Sequence, residues 1–484
     1  MTRINTPETN TPETNKVKLC AAVLLSALLL AVLQTAPASD KQQLEAQVVA
    51  GRAFEAAVWG MPLVNFDAMR QAYFRDAGAQ YNDIMFWSRP SDWRNQTTTP
   101  NHSTLYVMFF VNLKDGPVVV DIPATRQAGL YGTLIDAWTT PLLNVGNKGQ
   151  DQGKGGKYLM LPPGYQGQIP AGYVPVQSNT FNNYSLLRVI TKTVDKQDLA
   201  EGVDYLKNLK IYPLASAGNA PANRYIDMAD KVYEGIAKFD DTFYDAMARM
   251  VAEEPVQERD LAIMGQLRSL DIGKGLSYNP DSQRRQVLSQ QAKQAQFYLM
   301  SGYEQSGVPI WGEQRQWRSL ADPKTTLATR LTFVQPEQSV LLDERAYAWF
   351  AMFGPIVPPG VQVYMKSYAT ATGQPLDGNH SYRLRVPADV PANDFWSVDA
   401  YDVSTGGFIR QALVVGLDSY DQQLKRNVDG TVDLYFAPQA PPGQESNWIS
   451  TQPGQRFFTL FRIYGPKQAM IDRSWVLNDV EKID

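Results

Sequence analysis

The chain has 484 residues, 44% of them apolar, a formal charge of −4 and one cysteine. That length suggests two or three domains with real cores. No basic cluster offers the electrostatic footprint that nucleic acid requires, so a nucleic-acid partner is excluded.

Asn5-Thr6-Pro7-Glu8-Thr9 recurs at 10–14, a polar stretch ahead of Lys16 and Lys18. An apolar run over 19–33 follows, then Ala36-Pro37-Ala38. Positive flank, apolar core and small-residue cleavage site read as a signal peptide over 1–38. The alternative, an uncleaved anchor, fits less well, because the run falls short of the roughly 20 residues that span a bilayer. The expectation is a periplasmic or secreted protein with no stable membrane span after cleavage. Cys20 lies inside the removed segment, so the mature chain is disulfide-free. It also lacks thiolate nucleophiles, cysteine zinc sites and iron–sulfur clusters.

From 39 to 98 the first part is helical: Leu44 and Val48, then Phe54, Val58 and Met61, recur at three- and four-residue steps. Gly60 and Pro62 are expected to kink or end this helix. An aromatic, polar loop from Phe86-Trp87 to Pro100 precedes a first β domain at 99–213. There Leu105, Val107, Phe109 and Val111 alternate with Tyr106, Met108 and Phe110. Asp115-Gly116-Pro117 and the run 118–122 predict a hairpin. Further strands are expected at 130–138, 157–161 and 185–193.

Helical periodicity returns at 198–209, and a helical connecting region spans 214–353. Its signals run over 222–305, where Ala229, Val232, Tyr233, Ile236 and Phe239 keep helical spacing, and again over 343–353. The stretch 325–334 is ambiguous. A second β domain occupies 354–484, with strands at 361–368, 382–386, 396–401, 432–436 and 457–464. Strands and helices are segregated, so the class is α+β rather than a parallel α/β sheet.

Certain motifs carry a resemblance. In the first half they are Thr99-Pro100-Asn101, Thr104-Leu105-Tyr106, Gly116-Pro117-Val118, Pro162-Pro163-Gly164-Tyr165 and Ile211-Tyr212-Pro213. In the second half they are Gln374-Pro375-Leu376-Asp377-Gly378, Phe395-Trp396-Ser397-Val398, Tyr401-Asp402 and Arg462-Ile463-Tyr464-Gly465-Pro466. The chain resembles an exported two-domain family, domain of unknown function 1254 followed by domain of unknown function 1214. The resemblance implies two antiparallel β-sandwich-like domains joined by helices. It also marks a departure: the family's usual Asn-x-Asp-Thr-Leu-Tyr here reads Asn-His-Ser-Thr-Leu-Tyr, so Ser103 stands where an aspartate is common.

Both histidines sit in Asn-His-Ser tripeptides, Asn101-His102-Ser103 and Asn379-His380-Ser381. Imidazole is the side chain suited to proton transfer near neutral pH. The functional reading makes His102 an acid–base group, Tyr106 its partner and His380 a second-domain contact, with both imidazoles projecting into one chamber. The bland reading is a strand-entry histidine bonded to a carbonyl, and a turn cap for His380. Asn101, Asp136, Trp138, Asn379 and Trp396 are candidate ligand contacts. Asp394, Asp399 and Asp402 are further carboxylates beside aromatics, and paired carboxylates a few ångström apart would suit glycoside hydrolysis. Leu214-Ala215-Ser216-Ala217-Gly218 lacks the first glycine of a nucleophile elbow, and Gly149 to Lys154 has the wrong spacing for a phosphate loop. Three functions stay open: a hydrolase or lyase acting on a small polar or aromatic compound, a non-catalytic protein binding a glycan or small ligand, or a structural envelope protein. The sequence names no cofactor and no metal.

Overall fold

The computed structural model describes residues 40–126, 128–355 and 361–484, so the signal-peptide reading lies outside the described residues. Residues 52–484 form one compact unit. In chain order the elements begin with α1 (Asp40–Arg75), β1 (Ile84–Phe86), β2 (Asn95–Gln96), β3 (Leu105–Asn112), β4 (Val118–Ile122) and β5 (Gly129–Asp136). Next come β6 (Pro141–Gly146), β7 (Gly156–Leu161), β8 (Tyr173–Gln177), β9 (Asn182–Ile190), α2 (Lys196–Leu206), β10 (Lys210–Pro213), β11 (Tyr225–Asp227) and β12 (Tyr233–Glu234). The middle holds α3 (Thr242–Glu253), α4 (Leu261–Leu267), α5 (Ser282–Gln305), β13 (Arg318–Ser319), α6 (Pro323–Thr329), β14 (Val334–Gln335), β15 (Ser339–Val340) and α7 (Leu342–Ala351). The last part contains β16 (Gln362–Ser367), β17 (Tyr382–Val386), β18 (Trp396–Asp402), β19 (Gly416–Asp418), β20 (Val432–Ala437), β21 (Trp448–Ser450), β22 (Phe457–Tyr464), α8 (Gln468–Ile471) and β23 (Glu481–Lys482). The class is α+β.

The first lobe has a six-stranded sheet, β11-β1-β3-β9-β5-β6, and a four-stranded one, β10-β4-β7-β8. The second lobe has a five-stranded sheet, β13-β16-β22-β18-β19, and a four-stranded one, β21-β20-β17-β23. Most pairs are antiparallel, while β1–β11, β2–β12, β7–β8 and β20–β21 are parallel. Among the described residues no helix is long and apolar enough to cross a membrane.

Three local expectations are corrected. β3 and β4 are not a hairpin: β3 pairs with β1 and β9, whereas β4 pairs with β7 and β10. The turn at Asp115-Gly116-Pro117 instead passes the chain from one sheet to the other. Both strands then contribute to one buried core, Val107, Phe109 and Val111 with Val118, Val120 and Ile122, which a flat hairpin would leave half open. Second, α1 does not end at Pro62 but runs on to Arg75. An interior proline costs about 3 kcal/mol, but nearly every side chain from Ala56 to Tyr73 is buried, and that burial outweighs the penalty. Beside the interruption, the Trp59 carbonyl accepts a hydrogen bond from Arg345 Nη2 at 2.9 Å. Third, Tyr233 is not helical. It pairs with Asn95 in the β2–β12 ladder, and its hydroxyl donates to the Met69 carbonyl at 2.6 Å, so tertiary pairing overrides the local period.

Candidate functional site at the junction of the two lobes

Strand alternation explains where the site forms. In the second lobe Trp396, Val398 and Ala400 of β18 and Phe461 and Ile463 of β22 point into the lobe's own core. The alternate positions carry Ser397, Asp399 and Tyr401 opposite Arg462, Leu460 and Phe458. Across β22 lie Tyr364 of β16, opposite Arg462, and Gln362, opposite Tyr464. On the other side, Gly416 and Asp418 of β19 face Asp399 and Ser397. A polar face of this kind ordinarily meets water. Here Asp399, Arg462 and Tyr401 are at most 1% exposed, because the segment ahead of β3 lies over them.

That segment is pinned by bonds to the second lobe. Gln96 Nε2 donates to the Phe408 carbonyl at 3.1 Å, the Thr99 amide to the Gly406 carbonyl at 2.6 Å, and Thr99 Oγ1 to the Ala351 carbonyl at 2.7 Å. Thr99 adopts φ +44°, a left-handed conformation that a β-branched residue rarely takes, and these contacts hold it there. Tyr401 OH donates to the Pro100 carbonyl at 2.5 Å, and Arg462 Nη2 to the Thr99 carbonyl at 3.0 Å.

His102 is thereby lowered onto the β18–β19 edge. It sits in the bend before β3, not on the strand. Its Nδ1 meets Asp399 Oδ1, while Asp399 Oδ2 accepts from Arg462 Nη1. Its Nε2 lies 3.5 Å from Asp418 Oδ2. The close approach needs a glycine opposite: a Cβ at Gly416 would lie 2.5 Å from Asp399 Oδ1 and 2.6 Å from His102 Nδ1. Burial by itself lowers the imidazole pKa; the Asp399 charge and hydrogen bond, with Asp418, outweigh burial and the opposing Arg462, so the net direction is upward. The two carboxylates thus favour the imidazolium, the proton-donating form, more than water does.

Around this ion group, Asn101 donates through Nδ2 to Tyr464 OH and accepts from the Ser103 amide. Tyr106 OH accepts the Asn101 amide at 2.8 Å, so it braces the loop. Tyr464 OH lies 3.1 Å from Tyr364 OH, and the Arg462 guanidinium stands 5.0 Å from the Tyr364 ring centroid. On the first lobe's side Arg188 of β9 lies between Tyr106 and Tyr131, 5.3 and 5.9 Å from their centroids.

The remaining predicted residues go elsewhere. His380 is on a loop before β17, 41% exposed and 3.2 Å from Asp484, and it shares no partner with His102. The chamber holding both imidazoles is therefore not formed, because Asp377 and Asp484 anchor that loop at the surface. Asn379 Oδ1 caps the Gly454 amide at 3.0 Å. Trp396 stacks on Phe461 in the core, with centroids 5.6 Å apart. Asp136 accepts the amides of Trp138 and Thr140 at 2.9 and 2.8 Å and so closes a turn. Burial pushes its carboxyl up to about 6 against those bonds. Trp138 packs between Arg259 and Arg345, 5.2 and 5.1 Å from its centroid. Asp394 is exposed and Asp402 caps the Ser404 amide.

Sequence reasoning missed Arg188, Tyr131, Tyr364, Asp418 and Gly416, and did not give Arg462 or Tyr464 a role. The usable signal was Arg462 and Tyr464 in alternation with apolar residues inside a motif. A recess of about 290 Å³ lies elsewhere, lined by Gly302, Asp322, Phe333 and Tyr347 among others, and shares no residue with this cluster. Among the described residues no group of three or more His, Cys, Asp or Glu side chains is placed to hold a metal ion.

Two family models match: "Protein of unknown function (DUF1254)" over residues 81–213 and "Protein of unknown function (DUF1214)" over 361–468. No curated protein matches the chain. Among solved structures, the VPA0106 protein of Vibrio parahaemolyticus is similar at 17% identity. That match covers 90% of this chain and 100% of that one with a TM-score of 0.53, a likeness of fold. An uncharacterized protein from Burkholderia cenocepacia is similar at 15% identity, over 94% and 92% of the two chains, with a TM-score of 0.40.

Proposed function

We propose that this chain, which belongs to the two-domain family joining DUF1254 to DUF1214, is an exported enzyme whose active site is the ion group between its lobes. The reaction class is hydrolysis or elimination on a small polar or aromatic compound. The observation that carries this reading is the His102 imidazole held at Nδ1 by a fully buried Asp399, the orientation by a carboxylate that an acid–base histidine requires. His102 Nε2 is the proton donor, on the side of Asp418. Arg462 holds the second Asp399 oxygen, and Asn101 and Tyr106 fix the loop bearing His102. Each lobe, two sheets around shared apolar layers, is read as sandwich-like.

A second reading, a non-catalytic protein binding a glycan or small ligand, draws on the fact that both ring nitrogens of His102 already face carboxylates. One screen separates them. The purified mature protein is offered a panel of small polar, aromatic and glycan compounds beside His102→Gln, with His380→Ala as the surface control. The enzyme reading expects turnover that falls about 10²- to 10⁴-fold in His102→Gln and persists in His380→Ala. Turnover undiminished in His102→Gln removes the imidazole from the chemistry, and binding without turnover in all three proteins favours the second reading.

A further inference from the structure

We infer that Arg188 and Tyr131 form a receptor for the carboxylate of a small, flat, singly charged ligand. This rests on reading the junction between the lobes as a ligand site. Registers place Tyr106, Arg188 and Tyr131 side by side on one face of β3, β9 and β5. Arg188 is 8% exposed, and Nε is buried without a hydrogen-bond partner. Among the described residues its guanidinium makes no ion pair and stands 5.3 and 5.9 Å from the ring centroids of Tyr106 and Tyr131. The Tyr131 hydroxyl, equally buried, also has no hydrogen-bond partner. Two strong buried donors thus lie on paired residues of β9 and β5 with nothing to receive them, an arrangement that costs stability unless something binds there.

The chain satisfies comparable groups elsewhere. Arg462, 1% exposed, has Asp399 and the Thr99 carbonyl. Arg70, also 1% exposed, has Asp67 and Glu253. Arg345 keeps unpartnered nitrogens too, but it donates to Trp59 and lies in the packed contact of α1 with α7. Arg188 differs in its setting. Tyr131, Phe395 and Tyr464 form an aromatic wall whose edge is made of half-buried Ile190, Val361, Tyr364 and Tyr420.

The charge count selects the ligand. His102 and Arg462 share Asp399, and His102 also faces Asp418, whereas Arg188 makes no ion pair among the described residues. One positive charge is unmatched, which a monoanion balances and a phosphate dianion exceeds. A guanidinium fork matches a carboxylate through two parallel hydrogen bonds. The flanking ring faces favour a planar body behind it, and the Tyr131 hydroxyl supplies a third donor.

Calorimetric titration of the purified mature protein with benzoate, chloride and inorganic phosphate tests this. Benzoate should bind, and more tightly than either inorganic ion. Arg188→Met should weaken it about 10- to 100-fold while raising the melting temperature of the ligand-free protein, since an unmatched buried charge is removed. Should Arg188→Met fail to fold, Arg188→Lys keeps the charge, lacks the fork and should show the loss. Absence of benzoate binding, binding undiminished in the Arg188 variants, or equal binding of chloride or phosphate overturns the proposal. His102→Gln distinguishes it from the reaction above. Turnover lost in His102→Gln without benzoate binding to the wild type sinks the subsite alone. Arg188-dependent benzoate binding with His102→Gln turnover intact upholds the subsite and sinks the proton donor.

Discussion

Replacing Asp399 by alanine is the perturbation whose size the structure fixes best. Asp399 is fully buried and its two oxygens are divided between His102 and Arg462, itself 1% exposed. Its removal leaves two neighbouring cations without their shared counter-charge. Breaking a buried pair from one side costs about 3–5 kcal/mol, because the stranded charge stays out of water. The expected loss is therefore about 3–5 kcal/mol near pH 6, read as a fall in the urea midpoint followed by near-ultraviolet circular dichroism. The penalty should shrink as pH rises and His102 gives up its proton, because only Arg462 then remains stranded. A triple variant, His102→Leu, Asp399→Leu and Arg462→Met, should recover much of the loss, since apolar side chains of similar volume often replace buried ions without cost. A loss below about 1 kcal/mol, or a penalty that does not change with pH, would refute the reading that this carboxylate is shared by two buried cations.

Two further outcomes follow from neighbouring geometry. Gly416→Ala places a methyl 2.5 Å from Asp399 Oδ1 and 2.6 Å from both His102 Nδ1 and the Val398 carbonyl; it should destabilise by about 1–3 kcal/mol, and unfolding curves matching the wild type would show that the contact is not tight. With its carboxyl raised to about 6, Asp136 contributes stability that is full below the ordinary value of 3.8 and is lost as pH climbs to about 6, a swing of about 3 kcal/mol. Asp136→Asn retains the oxygen that receives Trp138 and Thr140, so urea midpoints at pH 7.5 should equal or exceed the wild type and lose this pH dependence. A midpoint well below wild type at pH 7.5 would mean that the charge itself is needed.

Much of the fold was legible because alternation and helical spacing are local. The runs at 118–122, 382–386 and 457–464 coincide with β4, β17 and β22, and the α+β class follows from their segregation. What escaped is long-range. Nothing local says that β4 leaves the sheet of β3, or that Tyr233 joins Asn95 across 138 residues of chain. The site illustrates the same divide. His102 is conspicuous as one of two histidines, but its partners Asp399, Asp418 and Arg462 lie on alternate positions of strands whose polar face looks like an ordinary solvated one. Only the docking of the Thr99 to Ser103 segment turns that face inward. His380 drew attention through the same tripeptide and ended on the surface, since three identical residues do not carry the environment that makes an imidazole useful.

The protonation state of His102 is the central claim, and the chain's having two histidines makes it directly measurable by nitrogen-15 NMR of the labelled imidazoles. His102→Gln assigns the signals. The account predicts that the His102 ring titrates above the ordinary 6.5 and that Asp399→Asn brings it down. A His102 ring that titrates at or below 6.5 in the wild type, or one that does not respond to Asp399→Asn, would contradict it.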